Sequence, residues 1–89
     1  MRTKNSKSLT AKERDWMLGV KSLPCSVCDL HGPSDAHHIK QGQTFTIVAL
    51  CKECHQGAHN GWHGRKAMWA IKKMDDVDAL AVTIERMFA

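Results

Sequence analysis

CSVCDLHGPSDAHHIKQGQTFTIVALCKECHQGAHNGWH, residues Cys25 to His63, holds every cysteine and every histidine of the chain, ten potential metal ligands in 39 of 89 residues. Cys25-x-x-Cys28 and Cys51-x-x-Cys54 are separated by 22 residues, the spacing of two knuckles that close on one tetrahedral Zn²⁺. The adjacent pair His37-His38 and the i,i+4 pair His55 and His59 are surplus to a zinc already filled by four thiolates. They suggest a second site, built from imidazoles and open to solvent. Such a site points to catalysis rather than to scaffolding.

A chain of 89 residues makes one small domain with a modest core, so a structural metal supplies stability that packing alone does not. Residues 10–89 are read as that domain and residues 1–9 (MRTKNSKSL) as a basic arm with little to bury. The N-terminus has no apolar run of the signal-peptide kind, and no window reaches the length of a membrane span. A cytoplasmic location and no membrane partner are expected. In a reducing compartment, paired C-x-x-C motifs favour zinc over disulfides, and a thiol-redox role would instead require reversible disulfides without metal.

Residues 1–74 carry 12 Lys/Arg against 5 Asp/Glu, net +7, whereas residues 75–89 carry one Arg against four acids, net −3. A basic body suits a polyanionic partner, and DNA comes before membrane because no basic face is paired with a broad apolar one.

Thr10-Ala-Lys-Glu13 is a capping box, so a helix begins there, with Trp16, Val20 and Leu23 on one face, and stops before Pro24. Ala36–Ile39 and Phe45–Leu50 read as short strands joined by a hairpin loop, Lys40–Thr44, with Gly42 in it. A helix starting near Cys51 carries His55 and His59 one turn apart until Asn60-Gly61. Ala67, Met68, Ile71 and Met74 then mark the apolar face of another helix. Asp75-Asp76 caps a last one, Val77–Met87, whose apolar set is Val77, Leu80, Ala81, Ile84, Met87 and Phe88. The fold class is a small α+β domain stapled by zinc, with strand, strand and helix at its centre and helices flanking on both sides. The chain is expected as a monomer or, through apolar area left on the last helices, a homodimer.

His37, His55 and His59 are the expected ligands of the second ion, with His63 the alternative to His59. Three imidazoles leave coordination positions for water or substrate. They suit Zn²⁺, Ni²⁺ or Mn²⁺, while Mg²⁺ prefers oxygen. His38 is the expected general base, imidazole being the side chain whose unperturbed pKa lies near neutrality. Neighbours on a regular strand point to opposite faces, so bringing His37 and His38 together requires a strand end or bulge there. Arg65, Lys66, Lys72, Lys73 and Lys40 are the expected contacts to DNA phosphates. Trp62 and Trp69 are read as packing residues before base-stacking ones.

The order Cys-x-x-Cys, His-His, Cys-x-x-Cys-His, x-x-x-His resembles the HNH, or ββα-metal, endonucleases of the type braced by a four-cysteine zinc knuckle. LPCSVCDLHG followed by AHHI and LC is similar to the phage Ref-type, RecA-dependent nucleases. The resemblance spans about Leu23 to His59. It implies a ββα-metal core, a metal-dependent DNA endonuclease of phage recombination that leaves a 5′-phosphate and a 3′-hydroxyl, and a RecA-type recombinase filament as partner. His37, His55 and His59 would be ligands and His38 the base. Thr46 stands where the family has the Asn that orients the base, and the basic arm is much shorter than in the Ref-type proteins. The alternative is a non-catalytic zinc-ribbon module that binds nucleic acid.

Overall fold

The computed structural model describes residues 8–89, so the basic arm expected over residues 1–9 falls, except for Ser8 and Leu9, outside the described residues. The elements run α1 (Ala11–Lys21), β1 (Asp35–His38), β2 (Ile47–Leu50), α2 (Lys52–Gln56), α3 (Ala67–Lys72) and α4 (Asp76–Met87). The described chain is thus a small α+β unit of four helices and one two-stranded antiparallel sheet. No helix among the described residues is long and apolar enough to cross a membrane.

The capping box starts α1 as its residues require. Thr10 Oγ1 accepts from the Glu13 amide at 3.1 Å, and the Glu13 carboxylate accepts from the Thr10 amide at 2.8 Å. The helix ends at Lys21, short of Pro24, whose missing N–H and ring would break it. It buries Val20 and half-buries Trp16, whose indole packs on Phe45 and Phe88.

β2 is the centre of the molecule, buried at all four positions. Because successive side chains alternate across a strand, Val48 and Leu50 pack into one cluster with Cys25, Cys51, Cys54 and Trp69. Ile47 and Ala49 pack into another with Val20, Trp16 and Met87. One edge of β2 pairs with β1, Asp35 opposite Leu50 and His38 opposite Ile47. The other edge is satisfied by the knuckle and α4. The Ala49 carbonyl accepts from the Ser26 amide at 2.8 Å, and the Ala49 amide donates to Thr83 Oγ1 at 3.3 Å. Thr83, fully buried, also meets Ser26 Oγ at 2.7 Å and donates to the Ala79 carbonyl at 2.9 Å.

The two C-terminal helices bury only part of the faces their patterns suggest: Met68, Met74, Leu80 and Met87 pack against the core, but the fully buried residues are others. In α3 the buried side chain is Trp69, whose indole N–H donates to the Cys54 carbonyl at 2.9 Å, while Ile71 is 71% exposed. A six-residue helix is too short for a periodic stripe to dictate its orientation, and the indole, with more area and a bonded N–H, decides it. In α4 the fully buried residues are Ala79 and Thr83, small enough to sit against β2, with Leu80 and Met87 packed beside them as expected, while Val77 and Phe88 stay 62% and 76% exposed. Arg86 fastens α4 to the first knuckle through Asp29 Oδ1 at 2.5 Å and the Cys25 carbonyl at 3.2 Å.

Two candidate metal centres

Cys25 and Cys28 lie on the turn after α1, and Cys51 and Cys54 on the end of β2 and in α2; all four sulfurs fall within 4.8 Å of one another. None forms a disulfide, and Cys28 and Cys51 Sγ are 3.6 Å apart. Tetrahedral zinc with Zn–S of about 2.3 Å places its sulfurs about 3.8 Å apart, so the set fits a structural zinc. Amides already point at the sulfurs, Val27 N–H at Cys25 (3.5 Å) and Cys54 N–H at Cys51 (3.4 Å), where they stabilise thiolate charge. Burial, and after it the charge of Cys25, pushes the Cys54 thiol far up. Four thiolates in so little space therefore call for a cation. The site is closed: three of the four cysteines are buried and only Cys28 is half-buried.

A second group forms around His55 of α2. One ring nitrogen each of His37, His55 and His63 lies within 4.8 Å of the others. The ring centroids are 5.1 Å apart for His37 and His55, 5.4 Å for His37 and His63, and 5.2 Å for His55 and His63. His37 is buried, His55 half-buried and His63 exposed, so the group opens toward solvent on the His63 side. Burial, reinforced by the two neighbouring imidazoles, holds the His37 imidazolium pKa down at about 4. At neutral pH its nitrogen lone pair is free. Asp35, two residues before His37 and on the same strand face, accepts from His55 Nδ1–H at 3.0 Å. That leaves His55 Nε2 as the nitrogen available to an ion.

The structure gathers His63, not His59. α2 ends at Gln56 because Gly57 is extended, and the one-turn spacing from His55 to His59 has no helix to act through. The chain instead folds back along α2: Trp62 N–H donates to the Cys54 carbonyl at 2.8 Å, and His63 N–H to the His55 carbonyl at 3.2 Å. Gly61, buried, permits this approach, since a Cβ there would stand 2.5 Å from the Gly57 carbonyl oxygen. His59 is left exposed.

His38 faces the other way. The β1–β2 ladder runs in continuous register from Asp35 to His38, so no bulge turns His38 toward His37. It shares a cleft of about 410 Å³ with Met17 and Lys21 of α1, Asp35 of β1, and Lys52 and His55 of α2. His55 therefore belongs to both the histidine group and the cleft that His38 lines. Thr46 does not reach this cleft. Its hydroxyl points at the Gln43 carbonyl, 3.5 Å away in its own loop, and it lines a separate hollow with Glu13 and Phe45.

The basic residues expected to meet DNA lie elsewhere. Lys40 is exposed on the hairpin loop, Arg65 and Lys66 follow His63, and Lys72 and Lys73 end α3. Lys66 Nζ sits 3.8 Å over the Trp62 ring, and Trp62 packs on Trp69 with centroids 4.7 Å apart. The sequence singles out neither Lys21 nor Lys52 and marks Gly61 only as a helix stop, and Asp35 is signalled only by the alternation that puts it on the face of His37. Comparison with protein-family models, curated proteins and solved structures finds no match to this chain.

Proposed function

We propose that this protein is a metal-dependent endonuclease that hydrolyses DNA phosphodiesters, an HNH-like centre braced by a structural zinc. The observation that carries the reading is the separation of two ligand sets: four sulfurs closed on one another, and three nitrogens of His37, His55 and His63 in a group that opens to solvent at His63. A divalent ion held by those nitrogens, Zn²⁺, Mn²⁺, Ni²⁺ or Mg²⁺, would supply Lewis-acid stabilisation of the charge that develops on the phosphoryl and leaving oxygens. Asp35 holds the His55 ring in one tautomer, and the buried His37 stays neutral and ready to donate its lone pair. His38, in the cleft that His55 also lines, takes the proton from the attacking water. The P–O3′ bond then breaks to leave a 5′-phosphate and a 3′-hydroxyl, the leaving oxygen taking a proton from solvent. Service to a RecA-type filament in phage recombination belongs to the same reading and rests on the sequence resemblance alone.

One observation favours a second reading. With His37 and His38 on opposite faces of β1, the imidazoles can be read as surface groups on a zinc-ribbon module that binds nucleic acid without cutting it. Metal stoichiometry on protein prepared without a histidine tag, with plasmid nicking across Mg²⁺, Mn²⁺, Ni²⁺ and Zn²⁺, separates the two. The endonuclease binds a second, weaker ion and nicks DNA, and His38→Ala abolishes nicking while leaving metal content and fold intact. One tightly held zinc and no nicking under any metal overturns it.

A further inference from the structure

The cleft beside His38 has two cationic walls. Lys21 closes the C-terminal end of α1, Lys52 opens α2, and both side chains are exposed. Neither forms an ion pair with a carboxylate among the described residues. The one acidic group in the cleft, Asp35, is already bonded to His55. Along α1, Arg14 precedes Met17 by three residues and Lys21 by seven, so it continues the same stripe of the helix away from the cleft. Lys40, Arg65, Lys66, Lys72 and Lys73 are absent from the cleft lining, and Lys66 is engaged over Trp62.

Resting on the hydrolytic reading of the histidine site, we infer that Lys21 and Lys52 grip the backbone phosphates on either side of the bond to be cut, seating one DNA strand in this cleft with His38 and His55 at its floor. The grip is mainly ionic, since the two ammonium groups are the charged donors of the lining, with the Gln56 amide the one other non-histidine side-chain donor there. It ignores base identity and weakens steeply with salt.

The test is binding of a fluorescent DNA duplex by His38→Ala protein, which holds the substrate without turnover, across a salt series. Lys21→Ala and Lys52→Ala should each weaken binding several-fold and lower the slope of log K against log salt by about 1, the loss of one phosphate contact. Zinc content and second-ion affinity should not change. Lys12→Ala, the same charge loss on another face of α1, should change neither affinity nor slope. Equal weakening by Lys12→Ala would make the effect one of net charge and overturn the inference. Unchanged binding in both cleft variants, with the loss appearing in Lys72→Ala and Lys73→Ala, would move the strand to α3 and overturn it too, while leaving the nuclease reading intact. No binding by the parent protein at low salt would sink the nuclease reading itself.

Discussion

Asp35 shows how one carboxylate can set the chemistry of a neighbouring ring. Its bond to His55 Nδ1 selects which nitrogen His55 presents. Such outer partners typically contribute about 10- to 100-fold to metal affinity. Asp35→Ala should therefore lower affinity for the second ion by about that factor and leave zinc untouched, as read by metal titration followed with elemental analysis. His37 allows a sharper check. Its pKa is held at about 4 against about 6.5 for a free imidazole, so between those values the unfolded chain binds more protons than the folded one. The associated stability is complete above about pH 6.5 and is lost as pH falls toward 4. An NMR titration of the metal-free protein should show His37 titrating near 4, and a His37 midpoint above 6 would contradict its burial.

At the scale of elements, the loop from Gly57 to Lys66 decides which histidines meet. Its backbone bonds to the ends of α2 bring His63 beside His55, and they depend on a close approach at Gly61. Gly61→Ala should push the loop outward, weakening the second ion as strongly as His63→Ala does. His59→Ala should have no effect, and competitive chelation distinguishes the three variants. Retained second-ion affinity in His63→Ala, with loss in His59→Ala, would restore the helical spacing as the determinant. The short α2 and α3 illustrate why pattern alone misled in this region: with five and six residues, neither has the length for periodicity to outweigh a single indole or a glycine.

Across the whole molecule, the first knuckle, β2 and α4 meet at Thr83, whose hydroxyl serves Ala49, Ser26 and Ala79 at once. Thr83→Val keeps the shape but strands a buried amide and a buried hydroxyl. It should cost about 1–3 kcal/mol, seen as a fall in melting temperature of roughly 4–8 °C per kcal/mol for a domain of this size. The four-cysteine site joins the same parts by metal. A chelator strong enough to strip zinc, or Cys54→Ser, should remove the cooperative melt altogether, because zinc affinity in so small a unit is folding energy. A native-like melt after zinc loss would show that the apolar clusters suffice.

The residue order alone determined the four-cysteine group, the capped start of α1, the two strands and the placing of helices around them. Each of these rests on local chemistry: a C-x-x-C turn, a Thr-Glu cap, an alternation, a proline. Tertiary structure decided the rest. It chose His63 over His59 because α2 stops at Gly57 and the chain doubles back. It set His37 and His38 on opposite faces because the ladder stays in register, and it opened a lysine-walled cleft where α1 and α2 approach β1. These outcomes depend on backbone bonds and contacts between residues far apart in the chain, and spacing along a sequence does not encode how a turn will be closed by partners that arrive from elsewhere.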